Sequence, residues 1–226
     1  MRSSLKMCEL IIFDNDGVLV DSEVIHIAVE QELLAELGLI YEPEIYATRF
    51  VGLSNADFYA ALRSDYIAAT GDAFPDDFAE RLNARVWPRI EAELKPISGA
   101  RKLIEASGRK VAVASSAPLE RLRRKLEITG LDRLLSPNIF SADHVRKGKP
   151  APDLFLYSAA QLKTEPRNCA VIEDSVNGVK AAKAAGMLPI GFVGGGHADP
   201  KLADRLSANG ASIIVSNFAE IEQLLC

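Results

Sequence analysis

Short apolar runs bounded by charged or turn-forming residues recur along the chain and predict its strands. They cover residues Cys8–Phe13, Lys110–Ser115, Cys169–Ile172, Leu188–Val193 and Ser212–Val215. Runs of this length are typical of strands that are buried on both faces of a parallel sheet. Helical patterns separate most of them, such as residues 118–129 with leucines at positions 119, 122 and 126. This alternation predicts an α/β fold with a doubly wound, Rossmann-like parallel sheet.

The pattern changes after the first strand, where a long stretch predicts helices alone. The predicted helices cover residues 22–37, 56–70 and 76–94, the last with a kink at Pro88. We therefore predict an α/β core made of residues 1–20 and 95–226, and an inserted all-helical cap made of residues 21–94. Because the cap follows the carboxyl end of a strand, where open α/β sheets bind ligands, we expect it to select the substrate.

Composition excludes several classes of function. The chain has 226 residues, 48% hydrophobic, and its 26 Lys+Arg against 31 Asp+Glu give a net charge of −5. This balance offers no basic surface for nucleic acid or an anionic membrane, and no apolar run is long enough to span a bilayer. The first residues lack the apolar segment of a secretory signal. Cys8, Cys169 and Cys226 are odd in number, far apart in the sequence and form no CxxC pair, which argues against a disulfide framework and a zinc site. We expect a cytoplasmic protein with reduced thiols.

Common catalytic motifs are absent from the sequence. There is no GxSxG nucleophile turn, and Gly148-Lys149 precedes proline and lacks the upstream glycine of a phosphate-binding P-loop. The glycines at 194–196 do not form a GxGxxG motif. These observations argue against a serine hydrolase, a nucleotide kinase and a dinucleotide-binding enzyme.

Paired carboxylates follow two of the predicted strands directly. Asp14 and Asp16 come after the first strand, and Glu173 and Asp174 come at the end of the strand that begins at Cys169. If these strands are neighbours, four carboxylates converge and form a site for a hard cation such as Mg²⁺. The alternative for either pair alone is a helix cap or a turn.

Ser115 and Lys149 are candidates for the same edge of the sheet. Ser115 ends its strand, and Lys149 lies in a proline-rich segment that can direct its ammonium inward. Each alone is compatible with an ordinary helix cap or a solvated lysine. A hydroxyl and a cation beside an acidic metal site suit a phosphoryl group, whose oxygens need neutralisation and hydrogen bonds.

Taken together, these residues resemble the haloacid dehalogenase superfamily, and specifically its phosphatase-type members with a small helical cap. The four motifs of that family appear in order as Asp14–Val18, Val113–Ser115, Lys149–Asp153 and Ile172–Ser175. The stretch from Asp14 to Glu23 resembles the subgroup that contains β-phosphoglucomutase and phosphoglycolate phosphatase. The resemblance covers nearly the whole chain and implies a phosphoric monoester hydrolase that acts on a sugar phosphate or a phosphoglycolate-type substrate.

The resemblance implies a role for each motif residue. Asp14 matches the nucleophile that forms an aspartyl-phosphate, and Asp16 matches the general acid and base. Ser115 and Lys149 match residues that bind the phosphoryl group. The resemblance implies that Mg²⁺ is bound by the carboxylates of Asp14 and Asp174 and by the backbone carbonyl of Asp16. Glu173 would bind either the metal itself or one of the groups that bind it.

Three other functions stay open at this point. A phosphosugar mutase would share the same catalytic aspartates. A metal-free 2-haloacid dehalogenase would lack an aspartate at position 16, and a non-catalytic binding module would lack the nucleophile or the acid. Since Asp14 and Asp16 are both present, phosphatase chemistry is favoured.

Three cap residues are candidates for binding the substrate. His26 matches a cap histidine of the β-phosphoglucomutase-like members. Mutases carry an arginine for the distal phosphate at the position of Asn55, and Arg49 lies close enough in sequence to substitute for it. The partner expected is a small phosphorylated substrate, with no nucleic acid and no membrane, for a monomer or weak homodimer. We expect His197 in a surface loop and no role for His144.

Overall fold

In this computed structural model, residues 8–50 and 55–225 are described, apart from the side chains at positions 44, 47, 48, 55 and 56. The chain forms two compact units, one of residues 1–23 with 94–226 and one of residues 24–93. The sequence predicts domain boundaries at residues 20/21 and 94/95, whereas these units divide at 23/24 and 93/94.

Among the described residues, the first unit contains a sheet of six strands, which are β1 (Leu10–Phe13), β2 (Lys110–Ser115), β3 (Ile139–Ser141), β4 (Cys169–Glu173), β5 (Leu188–Phe192) and β6 (Ile213–Val215). Their order in the sheet is β3-β2-β1-β4-β5-β6, and every neighbouring pair is parallel. The predicted doubly wound sheet is confirmed. The sequence pattern missed β3, because its apolar run is only Ile139 and Phe140, whereas β6, an edge strand of the same length, consists of three β-branched apolar residues.

The helices follow the predicted pattern with additions. They are α1 (Ser22–Glu36), α2 (Pro43–Phe50), α3 (Asn55–Thr70), α4 (Phe78–Glu93), α5 (Ala100–Ala106), α6 (Leu119–Thr129), α7 (Asp132–Leu135), α8 (Asp153–Gln161), α9 (Val176–Ala184), α10 (Leu202–Ala208) and α11 (Phe218–Leu225). Pro88 lies inside α4, as expected. Among the described residues, no helix is both long and apolar enough to cross a membrane.

The first strand of the α/β unit is buried against helices on both faces of the sheet. All four residues of β1 are at most 1% exposed. Leu10 and Ile12 pack in one cluster with Leu154 and Phe155 of α8, while Phe13 faces Phe218 of α11 with ring centroids 6.4 Å apart. Because strand residues alternate between faces, this double burial explains why β1 is apolar at every position. It also fixes the direction of the chain that leaves β1 at Asp14.

The helical unit has an aromatic core, and the carboxylate of Glu30 contacts it. Tyr46 and Phe50 of α2 are 2% and 3% exposed, and their rings pack 5.1 Å apart. The Tyr46 hydroxyl donates a short hydrogen bond to Oε2 of Glu30 on α1. Burial raises the pKa of Glu30 to about 7, although this hydrogen bond opposes the shift. Glu30 therefore keeps its proton more strongly in the folded state than in the unfolded chain.

Replacing Glu30 by glutamine is expected to stabilise the protein at neutral and higher pH. The pKa of Glu30 in the folded state, about 7, exceeds the ordinary value of 4.5. The contribution of protonated Glu30 to the parent's stability is therefore fully present below pH 4.5 and is lost as the pH rises through 7. Glutamine cannot ionise and still accepts from Tyr46, so the variant should gain about 1–3 kcal/mol of unfolding free energy at about pH 8 and little at low pH. Urea unfolding at both pH values, with the exposed-loop variant Asp72→Asn as control, measures this. Equal stability at high pH would contradict it.

Candidate active site

The site begins at the carboxyl ends of β1, β2 and β4. In the sheet register, Phe13 of β1 pairs with Val113 of β2 on one side and with Ile172 of β4 on the other. Asp14 follows directly, and its backbone N–H donates to the Ile172 carbonyl at 2.9 Å. The strand order reverses direction between β1 and β4, and open α/β sheets bind ligands at that point. The predicted convergence of carboxylates required that the two strands be neighbours, and β1 and β4 do pair with each other.

Lys149 connects the nucleophile candidate to the neighbouring strands. Its Nζ donates to Asp14 Oδ1 at 2.6 Å, to Glu173 Oε1 at 2.6 Å and to the Ala114 carbonyl at 2.9 Å. The side chain is only 5% exposed. Burial by itself would lower the pKa of Lys149, but the charges of Asp14 and Glu173 outweigh it and raise the pKa above its usual value. The ammonium is therefore a permanent positive charge at the end of β1.

Glu173 has both carboxylate oxygens occupied by protein donors. Oε1 accepts from Lys149, while Oε2 accepts from the backbone N–H of Ser175 at 3.1 Å and from its hydroxyl at 2.9 Å. A Cβ atom at position 178 would lie 1.8 Å from this carboxylate, so glycine is required there for α9 to approach β4. The sequence did not reveal this tight packing.

Asp14, Glu173 and Asp174 form a buried acidic cluster. Each contributes an oxygen that lies within 4.8 Å of the other two, and the three residues are at most 8% exposed. Burial raises the pKa of Asp14 to about 7, with added repulsion from Glu173 and Asp16, and Lys149 opposes the shift. Burial and the charge of Asp14 likewise raise the pKa of Asp174, with His197 opposing. Three carboxylates that still repel one another in spite of these partners offer the oxygen ligands that suit a hard divalent cation such as Mg²⁺.

Asp16 is held differently from Asp14. Its Oδ1 accepts short hydrogen bonds from the Ser22 hydroxyl and the Lys125 ammonium. Burial would raise the pKa of Asp16, but Lys125 and Ser22 outweigh burial and lower the pKa below its usual value. The Asp16 side chain is not among the carboxylates whose oxygens converge within 4.8 Å in the described part of the chain, and the family resemblance implies its backbone carbonyl as the metal-binding group.

Ser115 lies at the end of β2, one residue beyond the carbonyl that accepts from Lys149. The residue is 2% exposed, and its hydroxyl oxygen accepts from the Ala117 N–H at 3.1 Å. The hydroxyl proton remains available for a further acceptor. Ser115, Asp14 and Lys149 thus lie at one edge of the sheet, as the sequence predicts.

The expectation that His197 lies in a surface loop is wrong. Its side chain is 10% exposed, and Nε2 lies 3.1 Å from Asp174 Oδ2. Asp21 accepts from the Gly196 N–H at 3.1 Å, which draws this loop towards the turn after β1. Gly17 in that turn has φ +76°, and a Cβ there would lie 1.9 Å from Asp174 Oδ2. The loop sequence contained no signal for this contact, because it depends on the packing of segments far apart in the chain.

Glu23 and Lys125 are two further site residues that sequence reasoning missed. Burial, followed by the charges of Asp16 and Asp174, raises the pKa of Glu23 to about 7. A signal for Lys125 was present, since it lies among the buried positions Leu122, Leu126 and Thr129 of α6 at helical spacing. A charged residue inside an apolar stripe usually has a buried partner.

The cap candidates are only partly described. His26 lies in α1 and is half-buried, whereas the side chain of Asn55, at the start of α3, lies outside the described residues. Arg49 is paired through both its Nε and Nη2 atoms with Asp65, which also accepts from the Tyr41 hydroxyl at 2.9 Å. The suggestion that Arg49 substitutes for a mutase arginine is therefore weakened, because its guanidinium already has a carboxylate partner. His144 caps a 3₁₀ turn at Ala142–His144.

A family model of haloacid dehalogenase-like hydrolases matches residues 8–186. The chain belongs to the haloacid dehalogenase-like hydrolase family. The matched region contains all four predicted motifs, and it ends before His197. Together with relatives that are phosphatases, this match confirms the predicted class of enzyme, a phosphoric monoester hydrolase.

Curated relatives of the haloacid dehalogenase-like chain include phosphatases and a mutase. It is 28% identical to the 6-phosphogluconate phosphatase of Escherichia coli, over 85% of this chain and 86% of the relative. It is 29% identical to the β-phosphoglucomutase of Mycobacterium bovis, over 93% of this chain and 90% of the relative. It is 30% identical to the bifunctional riboflavin kinase/FMN phosphatase of Arabidopsis thaliana over 82% of this chain, but spans only 49% of that protein.

Solved structures in the family share the fold. A haloacid dehalogenase family hydrolase from Deinococcus radiodurans, with bound phosphate and sodium, is 33% identical with a TM-score of 0.84. The similarity covers 97% of this chain and 96% of that one. The predicted fold class is confirmed by this likeness as well as by the sheet order.

Proposed function

We propose that this hydrolase is a Mg²⁺-dependent phosphatase of a small phosphorylated metabolite, of the sugar phosphate or phosphoglycolate type. The observation that carries the proposal is the environment of Asp14, a buried carboxylate with one oxygen held by Lys149 within an acidic cluster. The phosphatase relatives act on 6-phosphogluconate and hexitol phosphates according to their names, which supports a polyhydroxylated substrate.

Asp14 would act as the nucleophile. Since Lys149 occupies Oδ1, Oδ2 is the oxygen that attacks phosphorus. A bond forms between Oδ2 and phosphorus as the bond from phosphorus to the ester oxygen breaks, which leaves an aspartyl-phosphate. Water then attacks phosphorus, and inorganic phosphate leaves as the Asp14 carboxylate returns. The pKa of Lys149 is raised, so the ammonium stays charged and offsets the approach of two anions.

Asp16 would exchange the protons of both steps. The pKa of Asp16 is lowered in the free site, but the negative charge of a bound phosphate ester would raise it, so that Asp16 can hold a proton and pass it to the departing ester oxygen. The carboxylate so formed then accepts a proton from the attacking water. Its position two residues after Asp14 places it on the turn that leaves β1. Ser115 would donate its hydroxyl proton to a phosphoryl oxygen at the same edge of the sheet.

The metal would be held by Asp14, Asp174 and the backbone carbonyl of Asp16. Bound there, Mg²⁺ would neutralise phosphoryl charge and so lower the repulsion between the substrate and the nucleophile. Because both oxygens of Glu173 accept from Lys149 and Ser175, its role is to position Lys149 and to add negative charge near the metal. His197 would restrain the Asp174 carboxylate.

The mutase remains the second candidate, because one relative is a β-phosphoglucomutase. A mutase must hold a bisphosphate by its distal phosphate, which requires a guanidinium or several donors. Asn55 is neutral, and Arg49 is paired with Asp65. A substrate-binding role for His26 and Asn55 stays a prediction, as do the cytoplasmic location and the monomer or weak homodimer.

A screen of phosphorylated metabolites with Mg²⁺ would identify the ester, and one assay separates the two candidates. β-Glucose 1-phosphate, mixed with a catalytic trace of the 1,6-bisphosphate, is expected to yield free phosphate faster than glucose 6-phosphate, because water wins the second step. Coupled detection of both products measures the ratio, with Asp14→Asn as the blank. Faster formation of the isomer than of phosphate would establish a mutase instead.

A further inference from the structure

Lys125 is a buried ammonium that none of the family motifs includes. It lies in the middle of α6, and its side chain is 7% exposed, whereas the neighbouring Arg123 and Arg124 are exposed. Burying an ammonium is costly unless a charge or strong acceptors compensate it. The compensating group here is the carboxylate of Asp16, which lies 109 positions away in the sequence.

Two elements hold the same oxygen of Asp16. Lys125 approaches from α6, and Ser22 approaches from the first residue of α1; both donate to Oδ1. A carboxylate that is free to rotate about its last side-chain bond would exchange its two oxygens. Two donors on Oδ1 prevent this exchange and leave Oδ2 as the oxygen that can reach a substrate. Asp16 is 18% exposed on its side chain, more than Lys125, so the pair is oriented with the carboxylate on the accessible side.

We propose that Lys125 is a positioning residue for Asp16, which assigns proton transfer to Oδ2. The inference rests on the proposed phosphatase function and deepens it. In the first step the proton on Oδ2 passes to the ester oxygen, and its electron pair stays on Asp16. In the second step Oδ2 takes a proton from water as the water oxygen bonds to phosphorus. Lys125 itself transfers no proton and touches no substrate.

The test compares Lys125→Met, Lys125→Arg and the control Arg123→Met, which removes an exposed cation from the same helix. Lys125→Met is expected to lower kcat by about ten- to a hundredfold, the effect of misplacing a catalytic group, with KM changed less than about threefold. Lys125→Arg keeps a cation and should lose less. Thermal unfolding and the inhibition constant of inorganic phosphate check that each variant is folded with an intact site.

Transient kinetics give a readout that a merely structural role would not change. p-Nitrophenyl phosphate has a leaving group that needs little protonation, so its first step should be spared in Lys125→Met. The second step still needs Asp16 to activate water, and it should become rate-limiting. We expect a burst of p-nitrophenolate, about equal to the enzyme concentration, that the parent and Arg123→Met do not show.

Combination with Asp16→Asn completes the test. Asp16→Asn alone should lower kcat by about 10²–10⁴-fold, and adding Lys125→Met should then change kcat less than about twofold, because Lys125 acts only through Asp16. An unchanged kcat in Lys125→Met, a loss confined to KM, or full multiplication of the two losses would overturn the inference while leaving the phosphatase intact. If instead the parent releases no phosphate from any ester, the proposed function fails. The unfolding midpoints of the parent, Lys125→Met, Asp16→Asn and the double variant then test the contact between Lys125 and Asp16. Additive shifts of the midpoint would overturn the inference.

Discussion

Asp14→Asn is expected to abolish turnover while leaving the fold intact. The amide is nearly isosteric with the carboxylate, but it is a poor nucleophile and cannot form the acyl phosphate. Removing a covalent nucleophile should reduce kcat by at least about 10⁴-fold. Steady-state release of inorganic phosphate from the best ester found in the screen measures the effect.

The matched control is Asp204→Asn, which removes an exposed carboxylate from α10 and should retain parental activity. Asp14→Asn also removes charge from the buried acidic cluster, so its thermal stability without metal should be equal to or higher than that of the parent. Turnover of the purified Asp14→Asn protein within tenfold of the parent would rule out Asp14 as the nucleophile. The cluster would then have to serve another reaction.

Removal of divalent metal is expected to eliminate activity, and Mg²⁺ should restore it. The reason is the repulsion among the buried carboxylates of Asp14, Glu173 and Asp174, which the Lys149 ammonium offsets only in part. A phosphate dianion cannot approach this cluster without further positive charge. Ca²⁺ is expected to inhibit, because it accepts bidentate carboxylates and would occupy both oxygens of Asp14.

Activity after exhaustive chelation, followed by titration with Mg²⁺, measures the requirement. A second readout does not depend on turnover: saturating Mg²⁺ should raise the unfolding temperature of the parent, and Asp174→Asn should lose most of this shift. Full activity in the chelated protein would contradict the metal assignment and would favour the chemistry of the metal-free dehalogenases.

These two expectations follow from one arrangement of charge. Lys149 and the metal would serve the carboxylate that attacks, whereas Lys125 serves the carboxylate that exchanges protons. The two lysines come from different elements and hold different oxygens. Nucleophile and acid can therefore lie two residues apart in one turn and still have separate environments.

Much of the fold and of the principal site could be read from local sequence. Strands buried on both faces must be continuously apolar, so their ends are visible as the first carboxylates or hydroxyl that interrupt the run. That is how Asp14, Ser115 and Glu173 could be assigned to one edge of the sheet, and their order matches a known family. The proline-rich segment made Lys149 a candidate, but its role required the resemblance, since a lysine between Gly148 and Pro150 has no periodic signal of its own.

Only the tertiary structure decided which side chains from distant segments meet. Lys125 binds Asp16, His197 reaches Asp174, and Arg49 pairs with Asp65. Periodicity assigns a residue to the buried or the exposed face of its own element, but its partner depends on the packing of other elements. The edge strand β3 was missed for a related reason, because two apolar residues, Ile139 and Phe140, carry too little pattern, and it is their pairing with β2 that makes the segment a strand. The sequence by itself therefore determined most of the strands and the candidate carboxylates at their ends, and packing determined how each carboxylate is charged and held.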